Sequence, residues 1–333
     1  MSSHSAFGGP FACIVGAPRT GTTSLARYLR KHPSVCFSSV KEPHFFSQND
    51  LAEATDEELR DFVGREYLDR YFGQCTDDGP LLMEGSVSYL YVPDQMGAIL
   101  RLWPDAKFII GVRDPMQMIP SLHQRLLTLG DENVRDFNQA WKLVDARTAG
   151  RRIPRTCADP RWLRYDEAGR LGHYVGAFLE AVGRERCLIS VYDDLAADPA
   201  GQYRAALDFL GLPDDHQTDF SPQRTSQGFK IGWLQRLLKR PPVITRRVLA
   251  GEHYRQRVER VEKLSRGEST MTRRIMAARK RLLTWNKAPA PPIYITQEVR
   301  SDIRARLHAD IEQLGVLIGR DLSHWLSETP TSR

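Results

Sequence analysis

Apolar positions along the chain follow two periods. Short, nearly unbroken apolar runs at Phe11–Val15, Lys107–Val112 and Cys187–Val191 predict buried strands, and Val35–Phe37 predicts a shorter one. Between these runs apolar residues recur at helical spacing. Leu25, Tyr28 and Leu29 mark a helix within Thr23–Lys31, and Asp56–Tyr71 mixes charges and apolar residues at helix period with Asp56 as the N-cap. Pro115 predicts a helix start just past the Lys107–Val112 strand, and Leu171–Val182 predicts another helix. Asp198-Pro199 opens a helix that runs to Leu210 and is closed by Gly211. A last amphipathic helix carries Val299, Ile303, Leu307, Ile311 and Leu314 on one face. Strands alternating with helices predict an α/β fold with a central, mostly parallel sheet flanked by helices. There is no internal repeat and no linker long enough to force a second domain. One domain is therefore expected, with a core at about 10–222, a helical segment at 223–290 and a closing helix at 296–326.

Composition adds exclusions. The chain has 333 residues, 41% hydrophobic and 26% charged, which rules out a disordered or fibrous protein. Its five cysteines are scattered and include no CxxC pair. That argues against a disulfide scaffold and a zinc site, so a reducing compartment is the simpler expectation. No stretch approaches the ~20 apolar residues of a membrane span. No Lys or Arg precedes Arg19, so no signal peptide is expected.

Charge is unevenly placed. The net charge is +6, yet residues 223–287 hold 18 Lys/Arg against 4 Asp/Glu. Such a block suits an anionic ligand, a polyanionic substrate, nucleic acid or an anionic membrane, or is a solvated helical face. Within it Trp233, Leu234, Leu237 and Leu238 lie beside Arg236, Lys239 and Arg240. Met271, Ile275, Leu282 and Trp285 lie beside Arg273, Arg274, Arg279, Lys280 and Arg281. Basic amphipathic helices of this kind fit an anionic membrane surface, and equally a packed helix with a wet basic face. No nucleic-acid motif accompanies the block, and no nucleic-acid partner is expected.

The chemistry begins at Gly16-Ala-Pro-Arg-Thr-Gly-Thr-Thr-Ser24, between a predicted strand and a predicted helix. Gly16 and Gly21 have the spacing of a Walker A loop, whose backbone N–H groups and helix N-terminus hold phosphate. Thr22 stands where that motif has its lysine, which argues against ATP or GTP hydrolysis. The cation comes earlier, at Arg19, and Thr20, Thr22, Thr23 and Ser24 offer hydroxyls.

This loop resembles the 5′-phosphosulfate motif of sulfotransferases that use 3′-phosphoadenylyl sulfate (PAPS). Three further segments are similar to that family. Lys107–Ser121 resembles its 3′-phosphate site, a strand followed by an Arg and, eight residues on, a Ser, here Arg113 and Ser121. Lys41-Glu-Pro-His-Phe-Phe46 resembles the KExxFF-type segment of carbohydrate sulfotransferases, in which the Glu is the proposed general base. Tyr192–Leu195, Asp198-Pro199 and Phe209–Leu212 resemble a stretch read as structural, and Gly319–Trp325 is similar to family C-termini. The likeness covers about Phe11–Leu212 and the last helix. Gly85 departs from heparan-type relatives, which carry a Lys there, so a leaving-group contact is either missing or supplied by Lys41 or Arg19.

The resemblance implies a three-layer P-loop-like fold and sulfuryl transfer from PAPS to a hydroxyl of a carbohydrate or glycolipid, leaving adenosine 3′,5′-bisphosphate. Arg19, Thr20, Gly21, Thr22, Thr23, Ser24, Arg113 and Ser121 would hold the donor, with Arg224 and Lys230 as a third contact from the basic segment. Glu42 is the first choice for base, with His44 and Glu84 as alternatives. No metal is demanded. Loops at Asn49–Gly79 and Leu129–Tyr165 are expected to shape the acceptor pocket, with Arg147, Arg151, Arg152 and Arg155 suited to an acidic acceptor. The expected location is cytoplasmic, peripheral to the membrane if the basic helices meet it. The rival readings are a small-molecule kinase and a non-catalytic nucleotide- or polyanion-binding protein.

Overall fold

The computed structural model describes residues 7–75, 79–221, 227–240 and 270–327. Among these, five parallel strands form one sheet: β1 (Phe11–Gly16), β2 (Val35–Phe37), β3 (Leu81–Glu84), β4 (Lys107–Val112) and β5 (Cys187–Val191). Their order is β2-β3-β1-β4-β5. Four of the five coincide with predicted apolar runs. β3 is the one strand of the five with no predicted run. After β1 the chain passes over β3 to the edge, and after β3 it crosses back to β4 on the far side of β1. Winding therefore reverses beside β1 and β4, and open α/β sheets form their ligand crevice at the C-terminal ends of such strands.

The longer helices are α1 (Thr22–Leu29), α2 (Asp56–Val63), α3 (Gly97–Leu102), α4 (Pro115–Leu129), α5 (Leu171–Val182), α6 (Tyr192–Ala197), α7 (Pro199–Leu210), α8 (Gly232–Lys239), α9 (Thr270–Trp285) and α10 (Gln297–Ile318). The described residues divide between two compact units. One is drawn from Met1–Asp114, Leu171–Gln223 and Asp310–Arg333, the other from Pro115–Arg170 and Arg224–Ala309.

The first unit contains the sheet. Strand alternation turns Ala12 and Ile14 toward Leu25 and Leu29 of α1 and Tyr203 and Leu207 of α7. On the other face Phe11 stacks on Trp103 at 4.1 Å, and Phe108 meets Phe178 of α5 at 5.3 Å. Each such fully buried side chain contributes about 1.5–3 kcal/mol, so the sheet is clamped on both faces as a middle layer.

Two local expectations change. Thr55, not Asp56, caps α2, because it completes a capping box in which Glu58 N donates to Thr55 Oγ1 and Thr55 N donates to Glu58 Oε2. The helix then runs through a π-helical turn, Gly64–Leu68, into Asp69–Phe72. The cysteines, read as no disulfide scaffold, nevertheless include one bonded pair. Cys36 of β2 and Cys75 are bonded, with Cα atoms 5.8 Å apart and a sequence separation of 39. Nothing in the cysteine spacing marks them, because the docking of the Asp56–Phe72 helix end beside β2, where Gln74 Nε2 donates to Phe37 O at 3.2 Å, is what brings them together.

The second unit is built around α4 and the first turns of α10. Val299, Ile303 and Leu307 are buried there, as the periodicity predicts, and Trp141 Nε1 donates to Asp302 Oδ2 at 2.7 Å. Arg147 is fully buried and paired with Glu132 at 2.8 Å, while Tyr165 donates to the same carboxylate. Arg147 is therefore a core residue, not a member of an exposed arginine cluster, whereas Arg151, Arg152 and Arg155 are exposed. A small antiparallel pair, β6 (Gln227–Phe229) and β7 (Lys287–Pro289), brackets α8 and α9.

Candidate active site

The loop from Gly16 to Gly21 is shaped by close backbone approach. Gly16 pairs with Gly111 across β1 and β4. It has φ +130°, and a Cβ there would lie 2.5 Å from Gly111 N. Gly21, the residue before α1, has φ +84°, and a Cβ would lie 2.7 Å from Leu195. Both positions thus require glycine on two counts. Arg19 also takes the left-handed conformation, φ 73°. Its carbonyl accepts from Arg113 Nη1 at 3.0 Å. Backbone held this way at a sparsely populated angle is a feature of functional loops.

No side chain caps α1 and its first turn holds no acid. The helix dipole and its leading N–H groups are thus available to an anion. Thr20 donates its hydroxyl to Ala17 O at 2.7 Å and is buried, as is Thr22. The Thr20 hydroxyl is thus committed to the turn. Thr23 is exposed and Ser24 partly so, which leaves these two hydroxyls accessible to a ligand.

Arg113 leaves the C-terminal end of β4, and its guanidinium lies 3.9 Å from the centre of the Tyr192 ring. Burial lowers the pKa of Arg113, opposed by Tyr192, Asp193 and Asp114. A cation so placed, stacked on one side and anchored to the loop carbonyl, is fixed in direction as a phosphate fork must be. Tyr192 falls in a stretch expected to be structural, yet its ring lies against Arg113 and beside Gly21. Its only sequence signal is its place just past β5.

The second cluster lies beyond the ends of β2 and β3. Glu84 closes β3 and has no exposed surface. It accepts from Tyr67 at 3.1 Å, Tyr89 at 2.5 Å and Ser86 Oγ at 2.5 Å. Burial pushes its pKa up to about 7, opposed by these hydroxyls and by Lys41. Ser86 Oγ in turn accepts from His44 N at 2.7 Å. His44 Nδ1 shares a hydrogen bond with Ser88 Oγ at 2.7 Å, and Ser88 bonds Ser47 at 2.7 Å. His44 is left-handed, φ 53°, and these bonds hold it so. Its Nε2 faces Glu42 Oε2 at 3.8 Å, and Lys41 Nζ bonds Glu42 Oε1 at 2.6 Å. Glu42 keeps 37% of its side chain exposed. It is a partly solvated carboxylate between two nitrogens, whereas Glu84 is enclosed and committed to three donors.

The sequence model described as "Sulfotransferase family" matches residues 10–216. The chain belongs to the sulfotransferase family. It is 29% identical over 213 residues to the mouse protein named heparan sulfate glucosamine 3-O-sulfotransferase 3A1, covering 61% of this chain and 46% of the relative. It is 31% identical over 208 residues to mouse heparan sulfate glucosamine 3-O-sulfotransferase 6, covering 61% and 52%. It is 24% identical over 224 residues to the Caenorhabditis elegans bifunctional heparan sulfate N-deacetylase/N-sulfotransferase 1, covering 66% and 24%. The chain thus spans about half or less of the length of these curated relatives. A sulfotransferase structure from Alicyclobacillus acidocaldarius has the same fold, with TM-score 0.62 and 22% identity over 96% of this chain and 99% of that one.

For this sulfotransferase-family chain, the expected residues fall into three groups. Arg19, Gly21 and Arg113 come together at the Gly16–Gly21 loop, and Glu42 and His44 come together beside β3. Ser121, on α4, and Lys230 belong to the second unit, where Lys230 Nζ lies 5.1 Å from the Trp285 ring. Arg224 lies outside the described residues. His123, two residues past Ser121, is buried and bonds Val134 O at 2.8 Å, a core position. Ser86 and Ser88 were missed as positioning groups, since a serine in a short loop carries no sequence signal of its own. Among the described residues no three His, Cys, Asp or Glu side chains gather as metal ligands would.

Proposed function

We propose that the chain transfers a sulfuryl group from PAPS to a hydroxyl of a carbohydrate or glycolipid. The observation that carries this reading is the lysine-free phosphate loop tied to Arg113. An uncapped helix N-terminus, Arg19 and a stacked Arg113 together suit a donor with phosphate at two places, which is what separates PAPS from ATP. The names of the heparan sulfate relatives support a sugar acceptor.

PAPS supplies an activated sulfuryl group. The acceptor oxygen bonds to sulfur as the sulfur–phosphate oxygen bond breaks, and adenosine 3′,5′-bisphosphate leaves. Glu42 takes the acceptor proton, a role worth about 10²–10⁴-fold. Its exposure and its lateral contacts support this assignment over Glu84. Lys41 and His44 hold the carboxylate in place. Lys41 Nζ also lies 3.5 Å from Gly85 O, so its charge reaches the position where heparan-type relatives carry their Lys. Arg19 and the loop N–H groups balance charge on the departing phosphate.

Calorimetric titration with adenosine 3′,5′-bisphosphate, with AMP and ATP as controls, tests the donor. Tight binding that needs the 3′-phosphate and weakens about 10–100-fold in Arg113→Ala is expected. ATP binding as well as or better than the bisphosphate would overturn the reading in favour of a kinase. Donor binding with no sulfuryl transfer to any desulfated glycan would favour a non-catalytic role.

A further inference from the structure

We propose that the outer faces of α8 and α9 dock the protein on the surface of an anionic lipid bilayer. This goes beyond the transfer reaction and does not depend on it.

The two helices form one fixed piece. Asn286, just after α9, is fully buried. Its Oδ1 accepts from Ile231 N at 2.8 Å, and its Nδ2 donates to Ile231 O at 3.1 Å and Gln235 Oε1 at 3.2 Å. Lys230 N donates to Asn286 O at 2.9 Å, and Arg279 Nε to Leu238 O at 2.9 Å. With their inner faces locked in this way, both helices turn large apolar side chains outward. Trp233 is 68% exposed and Leu237 45%, one turn apart on α8, and Leu282 is 44% and Trp285 55% exposed on α9.

The charge around these residues has one sign. Residues 227–240 and 270–287 contain ten Lys/Arg and not one Asp or Glu. Arg240 turns away to Asp131, but Lys230, Arg274, Lys280, Arg281 and Lys287 are exposed. A helix face that is merely solvated carries both signs and few large apolar groups. Exposed tryptophans and leucines ringed by cations are the composition of a surface that enters the headgroup layer and meets anionic lipid. A polyanionic glycan would use the cations and the tryptophan rings but gains nothing from Leu237 and Leu282, and that favours lipid. No described helix is long and apolar enough to cross a membrane, so the contact is peripheral.

Sedimentation of the full chain with vesicles of phosphatidylcholine alone, or with three-tenths phosphatidylglycerol, tests this. Binding to the anionic vesicles should exceed binding to neutral ones by about tenfold or more, and should fall as salt is raised. Tryptophan emission should shift to the blue on binding. A Leu237→Gln, Leu282→Gln variant changes only exposed positions, and should lose most of this binding while keeping the wild-type thermal midpoint. Equal binding to both vesicle types would overturn the proposal. So would wild-type vesicle binding by the variant, capture of heparin or DNA without vesicle binding, or a self-association that the variant abolishes.

Discussion

The Gly16–Gly21 loop and the Lys41–His44 segment follow β1 and β2, which flank β3 in one parallel sheet, yet they are built differently. The loop is backbone packed tightly against its neighbours, with Gly16 on Gly111, Gly21 on the Leu195 and Tyr192 side chains, and the Arg19 carbonyl on the Arg113 guanidinium. The Lys41–His44 segment is held by side chains, a relay from Glu84 through Ser86 to the His44 amide, with Ser88 on the imidazole. A cradle made of backbone has no slack, so a single added carbon disrupts it. A segment held by hydrogen bonds loosens by steps, and one of its anchors titrates. The first should therefore fail by steric conflict at every pH, and the second by degrees and with pH.

The largest effect is expected at Gly16→Ala. The new Cβ would meet Gly111 N at 2.5 Å in a left-handed conformation, and a loss of about 3–5 kcal/mol in urea unfolding is expected. A loss below about 1 kcal/mol would mean that backbone contact does not build the cradle.

Next comes Glu42→Gln. Turnover should fall about 10²–10⁴-fold while bisphosphate affinity stays at the wild-type value, since the residue lies outside the cradle. If the variant keeps more than a tenth of the activity, proton removal belongs to His44, and His44→Ala should then show the loss.

Glu84→Gln sharpens the contrast through pH. Glu84 is held at about 7 in the folded protein, whereas the unfolded chain ionises it near ~4.3. Between these values the native state holds the extra proton, so this group makes stability fall as pH rises toward 7, by about 3–4 kcal/mol in all, with no further change above. The Gln variant should lack that slope in urea midpoints measured from pH 4 to 8. Identical slopes in the two proteins would remove Glu84 as the titrating anchor.

The smallest effect is expected at Ser88→Ala, which releases His44 Nδ1. One such hydrogen bond is worth about 1 kcal/mol, so turnover should drop about fivefold with donor binding unchanged. A drop as large as that of Glu42→Gln would move His44 from positioning to proton transfer.

What the sequence by itself determined is local. The apolar runs of β1, β4 and β5, the Gly16–Gly21 spacing, the Pro199 start and Gly211 end of α7, and the buried face of α10 all follow from residues close in the chain. The residue types of Glu42 and His44, two positions apart, already point to proton chemistry, and Arg19 and Arg113 point separately to phosphate, although only the fold joins them. Only the tertiary structure decided which of three candidate bases is enclosed. Glu84 and Glu42 look alike in sequence, but Tyr67, Tyr89 and Ser86 surround one and leave the other partly in water. It likewise decided the Cys36–Cys75 bond, the burial of Arg147 on Glu132, the stacking of Arg113 on Tyr192, and the outward tryptophans of α8 and α9. Each of these depends on desolvation and on partners distant in sequence. Burial and hydrogen bonding are set by neighbours in space, and a local pattern of residue types carries no record of them.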